Sequence, residues 1–186
     1  MTGADHKCDL LLMTDYTCME MYMFNHDHLR KFFHLIARYR GVKLDHVVAT
    51  LAKTLQELFL IRFANITLDL SLTWMSFTRC CQLTATKDIQ FDSEDFIEKY
   101  LNKNSALDKK ASLKAKIDES RRLLSIDPRH QANGHDFIEL LDWYLNQLKR
   151  RSKIAGASLD RVLVGCLDLR SLGREPLFME LASRLA

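Results

Sequence analysis

The chain has 186 residues, 47% of them hydrophobic and 27% charged, which is close to an ordinary globular composition. It excludes a disordered tail, a collagen-like chain and a mucin-like stalk, and gives about one domain on the ~150-residue prior. Lys and Arg number 27 against 24 Asp and Glu, and a net charge of +3 is too mild to imply a nucleic-acid or membrane partner by itself.

Cys8, Cys18, Cys80, Cys81 and Cys166 form no Cys-x-x-Cys pair and read as reduced, mostly buried thiols of a cytoplasmic protein. No apolar run approaches the ~20 residues of a membrane span. Asp5 and Asp9 stand where a signal peptide would carry a basic and then an apolar stretch.

Cys8 to Met13 is an apolar run of strand length, followed by a polar turn at Thr14 to Thr17. Apolar residues at three- and four-residue intervals from Met19 to about Arg40 predict an amphipathic helix broken near Asn25 to His28, with Gly41 as its stop. A second helix is predicted from about Leu44 to Ala64, with Val47, Leu51, Leu55, Leu58 and Ile61 or Arg62 on one face. The period then changes to two: Leu68, Leu70, Leu72 and Trp74 alternate with polar residues, as in a half-buried strand. Another short strand can lie within the irregular stretch Phe77 to Phe91.

Asp92 or Ser93 can cap a helix over Phe96 to Asn102, and Leu107 to Leu124 reads as a charged helix. Pro128, Asn133 and Gly134 mark a loop, after which Asp136 opens a strong helix through Phe137 to Leu148. In that loop Gly134 is expected to supply an unusual backbone angle and Asp136 to cap the helix. Leu159 to Leu172 and Leu177 to Leu185 are two further amphipathic helices. The fold class is therefore α/β but mostly helical, with about seven helices and two or three strands.

The stretch with the most chemistry is Leu10 to Phe24, an apolar strand, a turn with Asp15, and Glu20 at the helix that follows. Carboxylates at the C-terminal end of a strand lie where α/β sheets bind ligands, and two acidic oxygen donors suit Mg²⁺. Equally, Asp15 can cap the turn and Glu20 can favour the helix N-terminus. His26 and His28 flank Asp27, but on a helix they point roughly 200° apart and read as surface histidines rather than zinc ligands. His135 reads as part of a loop and helix start. Lys149, Arg150 and Arg151 with Lys153, and the pair Arg121 and Arg122, could contact phosphates or simply complement helix dipoles. Met13, Met19, Met21 and Met23 read as adaptable core packing.

At these residues the sequence resembles the Toprim-like nucleases related to AriB, the nuclease partner in the PARIS anti-phage system. That family has a Thr-Asp-Tyr-x-Asp-x-Glu pattern; Thr14, Asp15, Tyr16 and Glu20 match it, and Cys18 stands at its second Asp. Asn133-Gly134-His135-Asp136 with the helix after it, and the closing pair of helices, match in order and approximate spacing. The resemblance implies a remnant of a Toprim-like sheet at the N-terminus followed by a helical C-terminal region. Residues 1–40 would be the last strand and helix of the core, and 41–186 a mainly helical region packed on it as one unit. It further implies a Mg²⁺- or Mn²⁺-dependent nuclease, with Asp15 and Glu20 as metal ligands and Glu20 catalytic. Lys149, Arg150 and Arg151 would contact the nucleic acid, and an AriA-like ATPase would be the partner.

Toprim-type sites also use a Glu on the first strand and an Asp-x-Asp pair on a later one. Only eight residues precede Asp9, and no Asp-x-Asp occurs in the chain. In-line phosphodiester displacement uses metal ions on both the attacking and leaving oxygens, and a hard ion gains little from a protonated thiol at Cys18. The expectation is thus a truncated or degenerate C-terminal part of such a nuclease, inactive alone. The alternative is a non-catalytic helical interaction module that binds the partner ATPase or a like chain.

Overall fold

The computed structural model describes residues 14–36, 43–148 and 159–185. The apolar run Cys8 to Met13, the basic cluster Lys149, Arg150, Arg151 and Lys153, and Gly41 lie outside them. The described part is mostly helical, with one two-stranded antiparallel sheet. None of its helices is long and apolar enough to cross a membrane.

The helix expected from Met19 breaks at Asn25, inside the expected stretch Asn25 to His28, and its described part is three pieces. A 3-10 turn at Met19–Met23 ends at Phe24, and α1 (His26–Lys31) starts behind an Asn25 cap whose side chain accepts from the His28 amide. A π turn follows at Phe32–Ile36. The break falls at Asn25 because an extended cap residue with a side-chain acceptor starts a new helix.

Helix α2 (Leu44–Thr67) is the centre of the molecule. Val47, Leu51, Leu55, Leu58 and Ile61 recur every three or four residues and are all buried, with Leu60 buried off that stripe. A helix apolar on more than one side must be covered on more than one side. It touches α1, α4 (Lys110–Ser120), α5 (Gly134–Gln147) and the second strand of the hairpin.

Leu68 to Trp74 does not form the expected strand. The alternation is real: Leu68, Leu70, Leu72 and Trp74 are half-buried against the core, and Asp69, Ser71 and Thr73 are exposed. Among the described residues no strand pairs with it, however, and Asp69 and Ser71 sit in the left-handed region at φ 51° and 50°, which breaks extended geometry. Side chains take over the task of a ladder. Asn65 Oδ1 accepts from the Leu72 amide at 3.1 Å, and Asn104 both accepts from the Thr73 amide at 2.8 Å and donates to its carbonyl at 3.1 Å. Tyr100 donates to the Leu72 carbonyl at 3.2 Å.

The true sheet is the hairpin β1 (Cys81–Leu83) and β2 (Ile89–Phe91), with Gln82 opposite Gln90. The Ile89 amide donates to Thr50 of α2 at 2.7 Å, which fixes the hairpin on the central helix. Asp92 caps α3 (Ser93–Lys103) by accepting from the Asp95 amide. The stretch expected as one helix from Leu107 to Leu124 is α4 between two 3-10 turns, Leu107–Lys109 and Arg121–Leu123. Its Lys110 and Lys114 reach Glu98 and Glu94 of α3.

The cap of α5 is Asn133, which accepts from the His135 and Asp136 amides, and not Asp136. Asp136 turns sideways into the core, its side chain 3% exposed, and takes both Arg62 Nε at 2.7 Å and Arg62 Nη2 at 2.8 Å. The same guanidinium lies 3.8 Å from the centroid of the Trp74 ring. Leu159 to Leu172 is likewise two helices, α6 (Leu159–Gly165) and α7 (Leu169–Leu172), because Asp168 caps a new start; α8 (Pro176–Leu185) follows. Cys80, Cys81 and Cys166 are buried and free, and Cys18 is free and half-buried.

Removing one partner of a buried ion pair leaves the other charge uncompensated. Arg62→Met should therefore destabilise the fold by about 3 kcal/mol, read from urea unfolding. Adding Asp136→Leu to that variant should recover most of the loss, and no recovery would show that the cost lies in the Trp74 contact instead.

Candidate functional site

Three stretches distant in sequence meet at one end of the fold: Thr14 to Phe24, the loop and helix start from Asp127 to Asp136, and the start of α8. Thr17 binds the first to the second, its amide donating to the Arg129 carbonyl at 3.3 Å and its hydroxyl to the Ala132 carbonyl at 2.5 Å. Tyr16 spans to the third, its hydroxyl donating to Glu175 Oε2 at 2.6 Å. Arg129 lies over the Tyr16 ring, 4.2 Å from its centroid, and pairs with Asp127 at 2.7 Å and Glu175 at 3.4 Å. Burial pushes the Tyr16 phenol up, and the Glu175 carboxylate it donates to pushes it further.

Asp15 does not cap its own turn. Its Oδ2 accepts from the Tyr22 hydroxyl at 2.9 Å and from the Leu177 amide at 3.0 Å, while its amide donates to Tyr22 at 2.9 Å. Leu177 is the second residue of α8, so its N–H is one of the donors that a helix start leaves without an internal partner. Asp15 thus caps a helix 162 residues away in sequence. Tyr22 is fully buried between Tyr16 and Phe178, at 4.7 and 5.4 Å between ring centroids. Burial pushes its phenol up to about 12, so at neutral pH it donates.

Glu20 faces a different helix start. A Cβ on Gly134 would lie 2.6 Å from Glu20 Cβ, 2.7 Å from Cys18 Sγ and 2.9 Å from Glu20 Oε2. Gly134 does not take up a left-handed angle. It is needed because the 3-10 turn packs directly on the first residue of α5. Cys18 packs on the same residue; burial raises its thiol pKa, the Thr17 hydroxyl 3.8 Å away opposes the rise, and the neighbouring Glu20 carboxylate adds to it. At neutral pH the thiol is therefore uncharged beside the Glu20 carboxylate.

Asp15 and Glu20 consequently have separate partners, and among the described residues no three His, Cys, Asp or Glu side chains gather as ligands for a metal ion. The donor types suit Mg²⁺, but the arrangement does not fit one. Asp15 Oδ2 already holds two hydrogen bonds, and a protonated thiol takes the place of a third acid. Arg121 is paired with Glu57 at 2.6 Å and Arg122 with Glu119 at 3.7 Å, so both cations face acids of the same chain.

Sequence reading did not find Tyr22, Arg129, Glu175 or Arg62. Arg62 carried a signal, as a cation on the apolar stripe of α2. The others are joined through partners that spacing does not reveal. His28 also differs from expectation. His26 is at the surface with Asp45, but His28 is 5% exposed and neither ring nitrogen has a hydrogen-bond partner among the described residues. It borders a cavity of about 70 Å³ with Lys31, Cys166 and Asp168. Burial, with the Lys31 charge adding to it, pushes the imidazole down to about 4. Met21 and Met23 are core residues as expected, whereas Met19 is exposed.

Comparison with family models, with curated proteins and with solved structures gives no match.

Two measurements test this geometry. Gly134→Ala should cost about 1–3 kcal/mol, the usual penalty of overpacking, and a smaller effect would mean that the turn can move off α5. His28 is neutral in the fold, and below pH 6.5 the unfolded chain takes up a proton that the folded one does not. Its contribution is therefore lost as pH falls from 6.5 towards 4, by about 3 kcal/mol at most. His28→Leu should flatten that acid limb in unfolding curves recorded between those pH values.

Proposed function

We propose that the chain is the helical part of a Toprim-like nuclease lineage of anti-phage defence, and that it acts as a non-catalytic interaction module. The observation that carries this reading is the engagement of both acids that the resemblance assigns to metal. Asp15 holds Tyr22 and the start of α8, and Glu20 packs on Cys18 and Gly134. Each acid holds elements of the fold together, which is what a scaffold requires of it. Support for the lineage comes from the three stretches that carry the resemblance, which are neighbours around one polar network. An exposed apolar side on α8, with Met179 and Leu185 52% and 79% exposed, supports a partner-binding role. The partner is an AriA-like ATPase, or a second copy of the chain.

A second reading keeps Asp15 and Glu20 as Mg²⁺ or Mn²⁺ ligands of a nuclease. It is favoured by the placement of both acids on the one segment that matches the family pattern.

Light scattering coupled to gel filtration separates the two readings. The chain should co-elute with the purified ATPase of the same defence system, or run as a dimer. It should show no Mg²⁺- or Mn²⁺-dependent cleavage of DNA or RNA alone. Cleavage by the isolated chain that disappears in Glu20→Gln would put the nuclease reading first, and a monomer that binds neither partner would remove the module.

A further inference from the structure

We propose that α7 is an acid-operated lid over His28: a proton on the buried imidazole opens the cavity that α7 borders, while the rest of the fold stays closed. The lid is independent of what the chain binds, so it stands or falls apart from the module reading.

Two walls border this cavity of about 70 Å³. One is α1, with His28 and Lys31, and the other is the stretch from Cys166 to Glu175, which contains α7. The walls differ in how firmly they are held. Leu29 and Phe32, on either side of Lys31, are fully buried, and α1 packs on α2. In α7 no residue is buried, and Leu169 is 81% exposed. It is a single turn of four residues, and one turn of helix does not persist in water by itself. When the cavity opens, α7 is therefore the wall that gives way.

The drive to open comes from the imidazole. His28 is 5% exposed, and neither ring nitrogen has a hydrogen-bond partner among the described residues. Each acid at the cavity is engaged elsewhere. Asp27 pairs with Arg30 on its own helix, and Asp168 accepts from the Arg170 amide at 3.1 Å as the cap of α7. Glu175 accepts from the Tyr16 hydroxyl at 2.6 Å and pairs with Arg129 at 3.4 Å. Lys31 adds a like charge, felt both by His28 and by the buried Cys166 thiol of the opposite wall. A buried cation with no partner is costly, and moving α7 is the smallest displacement that brings water to it. The bonds of Glu175 hold the far end of the stretch, so the lid turns about that residue.

Burial, with the Lys31 charge adding to it, holds the closed imidazole at about 4, against 6.5 in water. A proton therefore favours the open lid by up to about 300-fold. The effect sets in as pH falls below 6.5 and is complete below 4.

Amide hydrogen exchange, corrected for the intrinsic effect of pH, reads the lid at Leu172, Gly173 and Glu175, whose N–H groups donate to Asp168, Leu169 and Leu172. From about pH 7.5 to about pH 5 their opening should increase about 30-fold, with the α2 amides remaining the more protected. In His28→Leu the opening should not respond to pH over that range. A second reading needs no variant: the His28 ring resonance of the folded wild type should titrate at about 4. Opening of α7 that ignores pH while α2 loses protection would show that His28 takes up its proton only on global unfolding, and would overturn the lid. A pH response that persists in His28→Leu would overturn it too, as would a His28 ring that titrates in the folded protein at about 6.5.

Discussion

The Arg62–Asp136 pair is the contact on which the arrangement of the molecule depends. Arg62 is on the central helix, Asp136 in the first turn of α5, and the guanidinium also covers Trp74 in the extended segment after α2. One side chain thus sets the relation of three elements that have no backbone hydrogen-bonded ladder between them. The bidentate geometry matters here, because a planar fork fixes orientation as well as distance. A carboxylate in the first turn of a helix is ordinarily favoured by the dipole and left to solvent. Asp136 is instead drawn inward, and the cap falls to Asn133. That choice fixes where α5 begins and places Gly134 under Cys18 and Glu20. The site at the far end therefore inherits its geometry from a salt bridge in the core.

What could be read from sequence follows from which interactions are local. The stripe of α2, the Asp92 cap of α3 and the apolar face of α5 are set within a few turns of chain, and all three lie where period and capping place them. Leu68 to Trp74 is different. An alternation of apolar and polar residues describes any extended segment lying on a core, whether or not another strand pairs with it. The distinguishing residues are Asn65 and Asn104, whose amide groups imitate a neighbouring strand, and neither belongs to the alternating run. The helix break at Asp168 was hidden for a related reason, since a cap residue inside a continuous apolar period leaves the period intact, whereas the polar run Asn25 to His28 interrupts the period and marks the break at Asn25.

The same limit governs the site. Asp15, Glu20 and Cys18 are legible as a group because they sit together on one short segment. Their partners are not, because Leu177 comes from the other end of the chain and Gly134 from its middle. Spacing can say that a carboxylate stands at the end of a turn. Whether it meets a cation, a hydroxyl or the N-terminus of a helix depends on elements folded against it. All three are positively polarised, so one residue type satisfies any of them.

Cys18 limits the negative charge that this segment gathers at the start of α5. An Asp in its place, as in the pattern that the sequence resembles, would set a second carboxylate against Glu20 over the start of α5. Two like charges at that distance need a metal ion or a proton between them. The thiol removes the conflict. Burial and the neighbouring carboxylate raise its pKa, so it stays neutral where an acid would repel. The Glu20 carboxylate then lies beside a neutral thiol at the start of α5, and Asp15 holds Tyr22 and the start of α8. The two acids of this segment thus each meet a helix start that the chain itself supplies, Asp15 through the Leu177 amide and Glu20 by packing on Gly134.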